Sequence, residues 1–278
     1  MALIRREDRD GIASLILNRP EKLNAISRDM LIELRCHLER LGVDDTIGCV
    51  IVSGAGRCFG AGHDLAETGR EDEGEWRSFD ARTIDLLEQL PQPTIAKVHG
   101  YCFTGSFEVA LACDLLVASE SAQFADTHGE RGLVPIWGMS VRLPERIGLA
   151  RAKDLSFTCR RVGGAEALAM GLVDRCFPDN ELDGATAELA RQITVNSPGS
   201  NRMTKALYAM RSEMSRSGAL AYERTRPFGL PGGPPSTALE HQDRELDRLA
   251  WTTGTGPFAG VAAALANFDP SGHYRAEP

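Results

Sequence analysis

Ser53-Gly54-Ala55-Gly56-Arg57-Cys58-Phe59-Gly60-Ala61-Gly62-His63-Asp64-Leu65 follows the apolar run Cys49-Val50-Ile51-Val52, which reads as a buried strand. Gly54, Gly56, Gly60 and Gly62 let the chain turn sharply and bring backbone N–H groups close to a second surface. Ligands of α/β proteins gather where polar backbone follows the end of a core strand, so the stretch predicts a binding site. Its chemistry is narrowed by what is missing. A dinucleotide fingerprint starting at Gly54 needs a small residue at 59, and that residue is Phe59. A phosphate-cradling loop needs Gly-Lys-Ser/Thr, which does not occur in this stretch, and no Gly-x-Ser-x-Gly elbow occurs in the chain. The histidines, at 37, 63, 99, 128, 241 and 273, are scattered without His-Glu-x-x-His spacing; no metal site is expected.

The formal net charge of −8 over 278 residues argues against nucleic acid or an anionic membrane surface as the main partner. The seven cysteines lack Cys-x-x-Cys spacing and are odd in number, which fits a reduced, cytoplasmic setting better than a disulfide framework. The N-terminus has no apolar signal core, and no run approaches the ~18 apolar residues of a membrane span.

Outward from the glycine-rich stretch, strands and helices alternate. Strands are expected at 11–17, 49–52, 94–98, 115–118 and 172–177. Helices are expected from an N-cap at Ser27 through Leu41, where Met30, Leu31, Leu34, Leu38 and Leu41 share a face, and at 76–90, 106–113, 150–158, 165–170 and 182–196. The charged segment 67–75 reads as a surface loop. The alternation implies an α/β fold with a parallel sheet. The character changes after Ser197-Pro198. We therefore divide the chain into a core, 1–196, and a helical C-terminal region, 197–278, with helices at 203–216 and 239–249 and a loop at 229–235.

A second glycine-bearing segment, His99-Gly100-Tyr101-Cys102-Phe103-Thr104-Gly105-Ser106-Phe107-Glu108, enters a helix near Gly105. First-turn N–H groups point outward there, at the positive end of the helix dipole. Two such N–H sites facing one another would stabilise a developing oxyanion, with Glu108 close enough to serve the same site.

Together these segments carry a resemblance. Leu17-Asn18-Arg19-Pro20-Glu21-Lys22-Leu23-Asn24-Ala25-Ile26, Gly56 to Leu65, His99 to Asp114, Phe124 to Pro135, Arg142-Leu143-Pro144 and Ala165 to Pro178 resemble, in order, the enoyl-CoA hydratase/isomerase (crotonase) superfamily. The resemblance covers roughly residues 3–215. It implies a crotonase-like spiral of ββα units with a helical C-terminal trimerisation region, assembling as a homotrimer or hexamer. It implies an acyl-CoA thioester as partner and no separate cofactor, coenzyme A being part of the substrate. The backbone N–H groups of His63 and Gly105 match the oxyanion hole. Leu23, Ala25, Ala61, Gly62, His63, Asp64, Leu65 and Phe103 match the substrate-binding stretches, with Arg19, Lys22 and Arg57 all open as partners for CoA phosphates. Glu108 matches the first catalytic glutamate of the hydratases; the second aligns to His128, with Asp126 and Glu130 on either side as alternatives. Thr104 and Ser106 stand where many relatives have glycine. The expected reaction is hydration of a 2-enoyl-CoA. Isomerisation, decarboxylation, thioester hydrolysis or acyl-CoA binding without turnover are the alternatives that His128 leaves open.

Overall fold

The computed structural model describes residues 2–64, 66 and 73–224, with backbone alone over 73–77. Leu65, the segment 67–72 and the expected loop at 229–235 and helix at 239–249 lie outside the described residues.

The chain starts with an antiparallel hairpin, β1 (Ile4–Arg9) and β2 (Ile12–Leu17). Asp10 and Gly11 turn it with φ of 52° and 73°, the left-handed pair favoured by tight hairpins. The helix α1 (Arg28–Gly42) follows, capped by the Ser27 hydroxyl, which accepts from the Met30 N–H. Then β3 (Cys49–Gly54) adds parallel to β2. Beyond α2 (Glu73–Glu88), β4 (Thr94–Val98) lies parallel to β3. The main sheet is completed by β6 (Leu115–Ser119) and β9 (Arg175–Phe177), giving the order β1-β2-β3-β4-β6-β9.

A smaller sheet holds β5 (Tyr101–Phe103), β7 (Gln123–Ala125) and β8 (Val162–Gly163), in that order. The two sheets are strung together by a repeated move. Twice, a main-sheet strand is followed by a short strand of the second sheet and then by helix: β4, β5 and α3 (Thr104–Leu111); β6, β7 and then α4 (Met139–Ile147) and α5 (Leu149–Thr158). The stretch after β3 makes the same move in miniature, since Gly60 bridges to Cys102 of β5. This is a spiral of ββα turns. The chain then passes through α6 (Gly164–Met170), which ends at Gly171 with φ 82°, and α7 (Leu182–Thr194).

The run Cys49–Val52 is apolar without alternation because both faces of β3 are covered. Val50 and Val52 join the main core with α1, α2 and α3, while Cys49 and Ile51 pack with Ile95, Val117 and α7's Leu182, Leu189 and Ala190. Past Ser197, α8 (Pro198–Ser212) docks on the core: the buried Arg202 guanidinium donates to the Ile47 carbonyl and Lys205 pairs with Asp114. A final helix, α9 (Arg216–Arg224), is the last described element. No described helix is long and apolar enough to cross a membrane.

The core is close-packed, so deletions inside it are costly. Leu15, fully buried on β2, is expected to lose about 2–5 kcal/mol as Leu15→Ala; a urea-unfolding difference below 1 kcal/mol would contradict the placement.

Candidate active site

The two glycine-bearing segments meet. Asn24, fully buried, pins the first from below: its side-chain amide donates to the carbonyls of Ala55, Cys58 and Phe59, and its Oδ1 accepts the Arg19 N–H. Leu23 and Asn24 both have positive φ, 54° and 52°, so the chain doubles back here. Above it, the Ala61 N–H donates to the Leu23 carbonyl, the Ile26 N–H to Gly62 and the Asp64 N–H to Ile26. Because Ile26 engages the residues on either side of His63, the His63 peptide N–H is turned away from Ile26, toward α3.

The second segment closes on the first. The Phe103 N–H donates to the Gly60 carbonyl and the Gly62 N–H donates to the buried Ser106 hydroxyl, at 3.0 Å. A Cβ on Gly60 would run into the Ser106 side chain and one on Gly62 into Thr104, so both must be glycine for the loops to touch. Gly62 also has φ 107°, a left-handed conformation that favours glycine. A Cβ on Gly105 would lie 3.2 Å from the His63 nitrogen and 2.5 Å from the Trp137 ring. The second residue of α3 thus sits directly against the His63 peptide. As a first-turn residue, Gly105 has no intrahelical acceptor for its N–H. Thr104, just before it, is held at φ 43°, a strained conformation for a β-branched residue that costs about 1–2 kcal/mol.

Glu108 lies one turn further on, on the same face of α3 as Gly105. It is 1 % exposed. Oε1 accepts the N–H groups of Trp137 and Met139, both at 3.0 Å, which leaves Oε2 to face 3.9 Å toward His128 Nε2. The other ring nitrogen, Nδ1, lies 2.6 Å from Asp126 Oδ1. Burial raises the Glu108 pKa above its ordinary 4.5, against the pull of the two N–H donors and of His128. Burial alone would lower that of His128. The Asp126 hydrogen bond and the charges of Glu108 and Asp126 outweigh it and hold the imidazole above 6.5. Burial likewise opposes ionisation of Asp126, but bonds from His128 and Ser156 hold its pKa below the usual value.

The turn that presents Trp137 and Met139 to Glu108 is clamped by Arg142. Its guanidinium, 8 % exposed, donates to the Trp137 carbonyl and reaches Asp85 and Glu88 of α2 at 2.7 and 2.6 Å. Trp137 is itself buried, its ring standing edge-on to the His63 imidazole at 5.2 Å.

Of the residues singled out in the sequence, His63, Gly105, Glu108 and His128 are gathered here. Leu23, Ala61 and Gly62 belong to the doubled-back contact, the Ala61 N–H bonding to Leu23 and the Gly62 carbonyl to Ile26; Ala25 lies beside it, and Phe103 leads into α3. Asp64 pairs with Arg19 at 2.5 Å, and Arg19 also donates to the Ala25 carbonyl. That commits one of the three candidate cations to the scaffold, whereas Lys22 and Arg57 are exposed. Sequence reasoning missed the Trp137 and Met139 amides and the Arg142 clamp. The Asp-x-His spacing was the available signal for the Asp126–His128 bond.

The sequence model of the enoyl-CoA hydratase/isomerase family matches residues 7–226. The chain is 32% identical over 227 residues to the short-chain-enoyl-CoA hydratase of Clostridium acetobutylicum, covering 80% of this chain and 87% of that protein. It is 33% identical over 241 residues to the peroxisomal Δ(3,5)-Δ(2,4)-dienoyl-CoA isomerase of Arabidopsis thaliana, covering 81% and 87%. Its fold superposes on the crystal structure of an enoyl-CoA hydratase from Bacillus anthracis with a TM-score of 0.77 and 33% identity, over 80% of this chain and 88% of that one.

The tight seat of Gly105 has a measurable consequence. Gly105→Ala is expected to cost about 1–3 kcal/mol by overpacking and to shift the Trp137 emission, read by urea unfolding and tryptophan fluorescence. A variant as stable as the parent with unchanged emission would contradict the contact.

Proposed function

The chain belongs to the enoyl-CoA hydratase/isomerase family, and from that premise we propose that it adds water across the double bond of a 2-enoyl-CoA. The observation that carries this reading is the placement of Glu108 and His128 as a facing acid–base pair beside the closely seated peptides of His63 and Gly105. A thioester conjugated to an alkene is electrophilic at its β-carbon, and attack there drives charge onto the carbonyl oxygen. Two fixed N–H donors, from His63 and Gly105, receive that charge. One such donor is worth about 3–4 kcal/mol of barrier, and rigid glycine loops keep both aimed without reorganisation.

The proton work falls to the side chains. Glu108, with Oε1 held by two amides, uses Oε2 to take a proton from the attacking water. His128, protonated, gives one to the α-carbon from Nε2. Coenzyme A enters as part of the substrate, and hydration of this kind needs no further cofactor. Leu23, Ala25, Ala61, Gly62, Asp64 and Phe103 form the binding surface in this reading, with the exposed Lys22 and Arg57 available to its phosphates. The assembly is a homotrimer or hexamer in a cytoplasmic setting. Exposed apolar side chains at Val134 and Ile136, before α4, and Phe157, on α5, and seven free cysteines support that setting and that assembly.

Forward hydration needs Glu108 ionised and His128 protonated. The rate therefore falls as pH drops through the raised Glu108 pKa and falls again as pH rises through the raised His128 pKa, giving a bell. With crotonyl-CoA, absorbance should be lost as a product heavier by one water forms, and Glu108→Gln should lower kcat by about 10²–10⁴-fold. Turnover that Glu108→Gln leaves intact, or a product of unchanged mass, would overturn the hydratase reading.

A further inference from the structure

His128 does not stand alone. A single carboxylate oxygen, Asp126 Oδ1, accepts both the backbone N–H of His128, at 3.3 Å, and its ring Nδ1, at 2.6 Å. Asp126 is 2 % exposed and is itself steadied by the Ser156 hydroxyl from α5. An ionised carboxylate only accepts, so the hydrogen between them sits on Nδ1. The opposite nitrogen, Nε2, then looks at Glu108 Oε2 across 3.9 Å. Three groups from three parts of the fold thus lie in a row: Asp126 at the end of β7, His128 in the turn after it, and Glu108 on α3.

We propose that Asp126 is a positioning residue for hydration: it holds His128 with its proton on Nδ1 and Nε2 turned to Glu108, so that one proton circulates between Nε2 and Glu108. This rests on the reading of His128 as the acid. In the resting pair Nε2 is protonated and Glu108 is not. When water adds, its oxygen bonds to the β-carbon and its proton passes to Glu108, while the alkene electrons move onto the thioester. The enolate then takes the Nε2 proton at the α-carbon. Glu108 is left protonated and Nε2 bare, and the carboxyl proton crosses to Nε2, restoring the resting pair with one water consumed. Without Asp126 the neutral ring is free to place its hydrogen on Nε2, where it cannot recover the proton from Glu108.

The charged groups acting on His128 are Glu108 from α3 and Asp126 from the end of β7. The helix α5 and its C-cap bring the Ser156 carbonyl and Cys159 against Gly129, and the flanking Glu130 and Arg131 are exposed. Among the described residues, loss of the Asp126 charge therefore leaves Glu108 as the one carboxylate acting on His128.

The test compares the full-length parent with Asp126→Asn and Asp126→Glu. Crotonyl-CoA turnover is followed from acid to alkaline pH, and ¹⁵N NMR of the His128 ring is recorded without substrate. The expected result for Asp126→Asn is a kcat lowered by about 10- to 100-fold with KM changed less than about two-fold. Its alkaline limb and the His128 titration should both move down by about one pH unit, with loss of the Nδ1–H tautomer seen in the parent. Asp126→Glu, which keeps the charge, should retain the parent limb. A limb and a ring titration that both stay in place overturn the proposal, as does a ring that titrates differently while the rate profile is unchanged. If the parent hydrates nothing, the hydration reading fails on its own. The NMR arm still decides whether Asp126 sets the His128 tautomer.

Discussion

The bond from the Gly62 N–H to the Ser106 hydroxyl is the constraint on which the site depends. It joins the loop after β3 to the first turn of α3, which follows β4 and β5, and it lies within a residue of both the His63 and Gly105 peptides. Everything around it serves that closeness. Glycines at 60, 62 and 105 remove the Cβ atoms that would wedge the loops apart. Asn24 ties down the underside with three carbonyl contacts. The strain at Thr104 is sustained by the packing on either side, as strained backbone at a preorganised site generally is. Ser106 supplies a side-chain acceptor at a position where the backbone alone would leave the Gly62 N–H without one.

The second organising force is electrostatic. Burial makes an isolated Glu108 carboxylate costly, and two amides on Oε1 and the facing His128 on Oε2 offset part of that cost. His128 is in turn balanced by Asp126. With an acidic, a basic and an acidic group in sequence, each group favours the charged form of its neighbour against the effect of burial. Arg142 extends the same logic outward, binding the amide-bearing turn to the acidic face of α2. Glu108 and His128 are therefore held in place by backbone amides and by second partners.

Most of the fold could be read from the chain because its central strands are buried on both faces and its long helices carry one apolar stripe. The strands at 94–98 and 115–119 and the helix capped by Ser27 fall where the pattern puts them. The missed elements share physical causes. In β1, Ile-Arg-Arg-Glu-Asp-Arg buries only Ile4; an edge strand of a hairpin needs no more. The strands β5, β7 and β8 have three residues or fewer, too few to show a period. Pro144 lies inside α4, and proline ordinarily argues against a helix interior. The charged segment before 76 reads as loop, yet α2 already begins at Glu73. At the site, the pairing of Glu108 with His128 as facing side chains was legible through the resemblance. The Trp137 and Met139 donors were not, because residues 136–141 fall between the segments that carried the resemblance.

The central claim is that two peptides from two loops close on one oxygen while Glu108 and His128 face the neighbouring carbons. A crystal structure of the protein soaked with a 3-oxoacyl-CoA, which has no alkene to hydrate, tests it most directly. The account predicts the thioester oxygen at about 2.7–3.1 Å from both the His63 and Gly105 nitrogens, with the β-carbon beside Glu108 Oε2 and the α-carbon beside His128 Nε2. A thioester bound with its oxygen against any other pair of donors, or with its acyl carbons out of reach of Glu108 and His128, would contradict it.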